Sequence, residues 1–269
     1  MEFKKEKTTI KSQSPTDLLI YSKPKMGKTD LISRIEDCAI VDLEGGSNLV
    51  GGYIHKIDTL VELDQLLTWL EKENPYKYVA FDTLSRLYEA TELQGTLDYM
   101  NSSQGKNFNR VKPEHVAAGL APADKLGKAF PVGHDCFESV ETLPQGFGYR
   151  WSRDCYKKYF MRMRALKCRK IFVAHIKDKM IESKKGESVQ GRDLNLTGAC
   201  KAITTSFVDA IGYLHRGNDG NTYLSFQAGE AVAEGSRSKH LTGQDIMIGE
   251  WDKEKNDYKR TMWNEIYID

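Results

Sequence analysis

The stretch Asp17-Leu-Leu-Ile-Tyr-Ser-Lys-Pro-Lys-Met-Gly-Lys-Thr29 decides the fold class of this chain. The apolar run from Leu18 to Tyr21 predicts a buried strand, and the eight residues after it predict a tight loop that opens a helix. The loop fits the phosphate-binding pattern G-x-x-x-x-G-K-[ST], except that Ser22 replaces the first glycine. Backbone N–H groups of such a loop surround a phosphate, Lys28 adds positive charge, and the Thr29 hydroxyl can ligate Mg²⁺. The alternative is a lysine-rich surface turn.

A second apolar run, Tyr78 to Phe81, ends in Asp82. Ligands of open α/β sheets bind outside the carboxyl ends of the strands, so an acid in this position is expected to face the phosphates. Asp82 would then hold Mg²⁺ through water. The alternative is that Asp82 caps the helix predicted over Leu84 to Gln94.

Two further strand ends carry candidate catalytic side chains. The segment Ala39 to Gly46 ends with Asp42, Glu44 and two glycines. Glu44 is the predicted general base because a carboxylate within reach of a bound water can take its proton, and Asp42 is its competitor. The apolar run that begins at Lys170 ends in His175, which could sense a terminal phosphate. A lone histidine is more often a structural hydrogen-bonding residue.

Composition places the chain among ordinary soluble proteins. It has 269 residues, 40% hydrophobic and 29% charged, with a net charge of +1, so any nucleic-acid surface must come from local clusters. The five cysteines are scattered and the six histidines show no zinc spacing, which favours reduced thiols in a cytoplasm and no structural zinc. No signal peptide and no membrane-spanning run are expected.

The pattern along the chain alternates strands and helices, including a helix predicted over Leu60 to Lys72, and this alternation predicts a mostly parallel sheet. Residues 1–16 are expected to form a charged arm. Residues 101–147 interrupt the rhythm with many Gly, Pro, Asn and Ser residues and are interpreted as an insertion. An edge strand is predicted from Met262 to Ile268.

Two basic segments follow the predicted strands. The loop after His175 is basic and could contact a nucleic-acid backbone, the alternative being a solvated hairpin. Its candidate contact residues are Lys177, Lys179, Lys184, Lys185 and Arg192. Later, Arg237 and Lys239 lie in a loop that could reach a neighbouring subunit's phosphates as an arginine finger does, or that could be an ordinary surface turn.

In the order and spacing of these elements, the chain resembles the short phage-encoded RecA-like P-loop ATPases, a group that includes single-strand annealing and recombination proteins. The resemblance covers about residues 15–245. It implies a RecA-like core over residues 17–245, with the insertion at 101–147 and an antiparallel C-terminal extension over 246–269. It also implies catalytic roles for Lys28, Glu44, His175 and Arg237 and a metal site at Thr29 and Asp82. The residues expected to bind ATP·Mg²⁺ are Ser22, Lys23, Pro24, Lys25, Met26, Gly27, Lys28, Thr29, Asp30 and Asp82.

The expected function is therefore ATP- and Mg²⁺-dependent binding and annealing of single-stranded DNA in phage recombination, with weak, DNA-stimulated ATP hydrolysis. The expected partners are single-stranded DNA and further copies of the chain, in a ring or filament with ATP between subunits. A single-strand DNA-binding protein is a second candidate partner, and the expected location is the host cytoplasm. The alternatives are an ATPase accessory of phage replication or packaging that acts on a protein, a small-molecule kinase, and an annealing module that uses ATP only structurally.

Overall fold

The structure, a computed structural model, describes residues 13–182, 188–228 and 234–269. Within these ranges the chain forms eleven strands and six α-helices. The strands are Asp17–Ser22 (β1), Cys38–Asp42 (β2), Tyr53–Lys56 (β3), Tyr78–Asp82 (β4), Arg169–Glu182 (β5), Ser188–Leu194 (β6), Ala210–Arg216 (β7), Thr222–Ser225 (β8), Gly235–Ser236 (β9), Asp245–Asp252 (β10) and Asp257–Thr261 (β11). The helices are Lys28–Ser33 (α1), Leu60–Glu73 (α2), Leu84–Asn101 (α3), Pro113–Ala117 (α4), Tyr149–Ala165 (α5) and Gly198–Phe207 (α6).

One sheet joins the strands in the order β11-β10-β8-β7-β1-β5-β4-β2-β3, with β6 beside β5 and β9 beside β7. The strands from β7 to β3 in this order are parallel, whereas β8, β10 and β11 are antiparallel. The predicted central, mostly parallel sheet with helices and an antiparallel C-terminal part is confirmed. Strand register pairs Ser22 with His175 and Asp42 with Asp82. These four residues therefore lie toward the same end of the parallel strands.

Three of the parallel strands are buried along their whole length. Every residue of β1, β2 and β4 is buried, as continuous apolar runs require when both faces of a sheet are covered. The helix α2 buries Leu63, Leu67 and Leu70 at helical spacing. It begins where Thr59 and Glu62 exchange side-chain and backbone hydrogen bonds, a capping box that satisfies free N–H groups of the first turn.

The chain separates into two compact units. The first contains residues 1–85 and 163–269 and holds the sheet. The second contains residues 86–162, including most of α3 and α5 together with α4 and three short 3-10 turns. The interruption at residues 101–147 falls inside this second unit.

The C-terminal segment continues the central sheet. The boundary expected at residue 245 coincides with the first residue of β10, which pairs with β8 and with β11. The edge strand predicted over Met262–Ile268 is wrong, because the last strand is β11 and Trp263–Glu265 is a 3-10 turn. The turn places the Trp263 indole against α1, where Nε1 donates a hydrogen bond to the carbonyl oxygen of Leu31 at 2.9 Å.

In the part of the chain that the structure describes, no helix is both long enough and apolar enough to cross a membrane.

Candidate nucleotide site

Ser22 ends β1 in extended backbone, so the residue that departs from the phosphate-loop pattern carries no strain. Positive φ angles in the loop fall on Lys25, at 63°, and Gly27, at 84°. The Ser22 hydroxyl donates to the carbonyl oxygen of Lys23 at 2.9 Å and accepts a hydrogen bond from Lys28 Nζ at 2.9 Å. A serine therefore fits this position, and its hydroxyl holds the lysine of the loop.

Gly27 is favoured by its backbone conformation, and its neighbour is Tyr258. Its positive φ favours glycine, and a Cβ atom there would lie 3.4 Å from Oη of Tyr258. Tyr258 belongs to β11 and also shares a hydrogen bond with the Thr222 hydroxyl at 3.0 Å. Sequence reasoning did not connect Tyr258 with the loop, since 231 positions separate it from Gly27 and no local pattern links them.

Lys28 is held inside the loop, only 6% exposed. Its Nζ donates to the Ser22 hydroxyl and to the Lys23 carbonyl, the latter at 3.1 Å. Burial lowers the pKa of the Lys28 ammonium, and the negative charges of Asp82 and Glu44 offset only part of that effect. The Lys28 ammonium is the positive charge that a phosphate chain needs, whereas the two carboxylates are suited to hold a cation beside it.

Thr29 and Asp82 form the pair that fits Mg²⁺. Oγ1 of Thr29 donates to Oδ2 of Asp82 at 2.6 Å, and hydroxyl and carboxylate oxygens are ligands that Mg²⁺ accepts. Asp82 is 6% exposed. Burial raises the pKa of its carboxyl, while the Thr29 hydrogen bond and the Lys28 charge act in the opposite direction. A divalent cation would compensate this buried negative charge, so the residues present fit the metal.

Asp42 and Glu44 differ in their partners: Asp42 is bonded within the turn, whereas the Glu44 side chain extends away from it. The Asp42 carboxylate accepts hydrogen bonds from the backbone N–H groups of Glu44, Gly45 and Ser47 and from the Ser47 hydroxyl. Burial raises the pKa of the Asp42 carboxyl, but the hydrogen bonds from Ser47, Gly45 and Glu44 outweigh burial and leave that pKa below its usual value. Asp42 therefore builds the turn that presents Glu44, whose side chain is 40% exposed.

His175 contacts this presented acid. Its Nε2 lies 3.1 Å from each carboxylate oxygen of Glu44. The backbone of His175 is paired with that of Ser22 between β5 and β1. The structure thus brings Lys28, Thr29, Asp82, Glu44 and His175 to one edge of the sheet.

Other predicted site residues lie differently. The Asp30 carboxylate is paired with Arg34 along α1, at 3.0 Å. Arg237 lies at the opposite edge, where its N–H bonds to the Asp209 carbonyl and its guanidinium donates to the Ser206 carbonyl at 2.8 Å. Arg237 therefore does not lie beside the phosphate loop of its own chain.

The predicted nucleic-acid segment is a hairpin of β5 and β6, paired from Ile176 opposite Leu194 to Glu182 opposite Ser188. Lys177 is exposed at its base. Lys184 and Lys185 lie outside the described residues, as do the side chains of Lys179 and Arg192.

One comparison with known proteins matches the part of the chain that carries the phosphate loop. A family model described as an AAA domain matches residues 14–118, fewer than half of the chain. The matched segment includes β1 to β4, and therefore the phosphate loop, Glu44 and Asp82, but not His175. The match supports an AAA or P-loop ATPase type of domain, with which the mixed α/β sheet is consistent. No curated protein matches the chain.

Proposed function

We propose that this protein binds ATP with Mg²⁺ and hydrolyses it. The observation that carries the proposal is the meeting of three chemically different groups at the ends of parallel strands. These groups are the buried ammonium of Lys28, the hydrogen-bonded oxygens of Thr29 and Asp82, and the partly exposed carboxylate of Glu44. A phosphate chain, its metal ion and an attacking water need these three kinds of group.

Each residue has a definite part in the proposed reaction. The loop N–H groups and Lys28 would bind the β- and γ-phosphates, while the Thr29 hydroxyl and the Asp82 carboxylate would hold the metal ion. Bound Mg²⁺ supplies positive charge to the phosphate oxygens. The oxygen of a water molecule forms a bond to the γ-phosphorus as the bond to the bridging oxygen of ADP breaks. Glu44 accepts the proton that this water loses.

The decisive experiment is the variant Lys28→Ala. Removing the ammonium takes away the cationic partner of the phosphates, and ATP affinity measured by calorimetry is expected to be lost. Lys72→Ala is the control, because Lys72 is an exposed lysine on α2. Normal ATP affinity in Lys28→Ala would refute the proposed site.

We further propose that ATP binding promotes assembly of the chain and its binding to single-stranded DNA, as in recombination and annealing proteins. The support is positional. The strand β5 carries His175 and runs on to Glu182, where it pairs with β6, and the sequence from 177 to 192 has five basic residues against three acidic ones. A basic hairpin connected to the phosphate site could couple nucleotide binding to a nucleic-acid backbone.

Single-stranded DNA binding with ATP, with ADP and without nucleotide tests this second proposal, together with particle size by light scattering. ATP is expected to increase both DNA affinity and particle size. DNA binding that ignores the nucleotide would favour a module that uses ATP only structurally. Absence of DNA binding would favour an accessory ATPase that acts on a protein, and phosphoryl transfer to a small molecule without any response to DNA would favour a kinase.

A further inference from the structure

The outer side of α5, in the second compact unit, carries basic side chains that the proposed nucleotide site does not use. Residues 149–162 contain five basic residues and a single acid, Asp154. Arg150, Arg153 and Lys157 follow one another at intervals of three and four residues, so they lie along one side of the helix and form a basic stripe. The buried residues of this segment lie on the opposite side and are Ser152, Tyr156, Tyr159 and Phe160.

The one acid beside the basic stripe does not neutralise it. Asp154 lies 3.5 Å from Arg150 and 3.2 Å from Arg153, so one carboxylate serves two guanidinium groups. These two arginine side chains are 74% and 43% exposed, and ion pairs at such exposed positions are weak. Lys157 is also exposed. The stripe therefore keeps the net positive charge that attracts a phosphate backbone.

Aromatic rings adjoin the basic stripe at the start of α5. Phe147 is 48% exposed and Tyr149 is 46% exposed, and Trp151 follows within the first turn of the helix. Rings placed beside basic side chains are the combination with which proteins bind single-stranded nucleic acids, because every base has a face that can stack on a ring.

A cleft of about 630 Å³ lies between α3 and α5. The two helices touch at Gly95, where a Cβ atom would lie 2.8 Å from the backbone nitrogen of Ser152. The lining of the cleft combines rings, an amide and charged groups, from Gln94, Asp98, Arg150, Trp151, Lys158 and Tyr159. Nε1 of Trp151 is a buried donor with no hydrogen-bond partner among the described residues. The cleft thus has the size of a small-ligand site and offers rings, donors and acceptors to a nucleobase.

We propose that this cleft and the basic stripe form a binding site for single-stranded DNA, separate from the β5–β6 hairpin. The cleft holds one base against the Trp151 ring, and the side chains of the stripe contact the phosphates of the same strand. From Arg150 to Lys157 the stripe extends about 10 Å along α5, which matches about three nucleotides of a stacked strand. This site rests on the proposed binding of single-stranded DNA and gives that binding a surface among the described residues.

Fluorescence anisotropy of a labelled oligo(dT) strand, with the full chain and ATP, measures the contribution of the stripe. The test variant combines Arg150→Ala, Arg153→Ala and Lys157→Ala. Its DNA affinity is expected to fall by about tenfold or more, and the slope of log affinity against log salt concentration to become shallower by about 2, because each phosphate contact on a single strand contributes about 0.7. The matched control removes three exposed lysines of the same unit and combines Lys106→Ala, Lys125→Ala and Lys128→Ala.

The two triple variants separate this site from the DNA-binding proposal on which it rests. Equal DNA affinities and equal salt slopes in the test and control variants overturn the α5 site and leave the hairpin as the proposed DNA contact. Absence of DNA binding by the wild-type chain overturns both.

Photo-crosslinking locates the bound strand. An oligonucleotide that contains iodouracil couples on irradiation to aromatic side chains beside it, and mass spectrometry identifies the attached peptide. Crosslinks are expected at Tyr149 or Trp151, are expected to persist in the control variant, and should weaken in the test variant as its affinity does. Crosslinks confined to residues outside 147–159 overturn the site.

Discussion

Asp42 and Glu44 lie two residues apart at the end of β2, yet their carboxylates have different partners. Asp42 is 3% exposed and accepts hydrogen bonds from the turn that follows it, whereas Glu44 extends to His175. An acid that satisfies three backbone N–H groups has little capacity for a reacting water, because its lone pairs are occupied. The turn built on Asp42 is what gives Glu44 its position.

The variant Asp42→Asn should reveal this role through the pH dependence of stability. The folded-state pKa of Asp42 lies below its unfolded value, so its contribution is present above the unfolded pKa, about 4, and is lost as pH falls through the folded pKa. The Asn variant places an amide nitrogen opposite donor groups of Ser47. It should lower the free energy of unfolding by about 1–3 kcal/mol at pH 7, and by less at pH 3. Urea unfolding at both pH values measures this difference, and a pH-independent deficit would contradict the assignment.

Sequence patterns were sufficient to select the residues that meet at the site, because each one follows a buried apolar run. His175 does not end its strand as expected, since β5 continues to Glu182. Lys28, Asp82, Glu44 and His175 all follow short apolar runs, and parallel strands bring their carboxyl ends together. The choice of Glu44 over Asp42 as the general base was only a preference on sequence alone. It depends on hydrogen bonds that the turn makes after it has folded.

At the scale of elements, α1 is held by the C-terminal part of the chain. The Trp263 indole donates to the carbonyl oxygen of Leu31, and Arg34 forms an ion pair with Asp257 at 2.5 Å. The Arg34 guanidinium also lies over the Tyr258 ring, 5.2 Å from its centre. Because α1 begins with Lys28 and Thr29, these contacts fix the helix that carries the phosphate-binding residues.

The variant Trp263→Phe should therefore weaken nucleotide binding as well as stability. It removes the hydrogen bond to Leu31 and part of a buried ring, which should cost about 1–3 kcal/mol. Looser placement of α1 should lower ATP affinity by about threefold to tenfold, measured by calorimetry. The control is Trp69→Phe, since Trp69 lies on α2 and contacts the rings of His55 and Tyr76. Equal ATP affinities in the two variants would refute the link between the C-terminal part and the site.

These contacts explain which elements could not be predicted. Continuous apolar runs indicated β1, β2, β4 and the first part of β5 correctly, and apolar residues at helical spacing indicated α2, since their burial is visible in the local pattern. The edge strand expected over Met262–Ile268 was wrong because the apolar residues there are buried as a turn against α1 and the core, with Ile266 at 0% exposure. Pairing of β10 with β8 and β11 depends on long-range contacts that a local pattern does not contain.

At the scale of the whole molecule, residues with two different predicted roles lie at opposite ends of β1. The phosphate loop follows Ser22, whereas Arg237 lies near the start of β1, where Leu18 pairs with Ala210 and Ala210 with Ser236. The length of β1 separates the two ends by about 17 Å, more than an arginine side chain can span. Arg237 is 62% exposed. If it acts on a phosphate, that phosphate belongs to a neighbouring copy in a head-to-tail assembly.

Mixing two inactive variants tests this arrangement. Lys28→Ala lacks the phosphate-binding lysine, and Arg237→Ala lacks the predicted finger, whose loss should lower kcat by about 10³-fold or more. An interface has both groups when the Arg237→Ala chain contributes the phosphate loop and the Lys28→Ala chain contributes Arg237. Random assembly of an equal mixture should therefore recover about a quarter of wild-type ATPase activity, because one head-to-tail interface in four is of this kind. Lys239→Ala, tested in the same way, distinguishes Arg237 from its exposed neighbour. A mixture that assembles to the wild-type particle size by light scattering, yet is no more active than its separate components, would exclude a shared site.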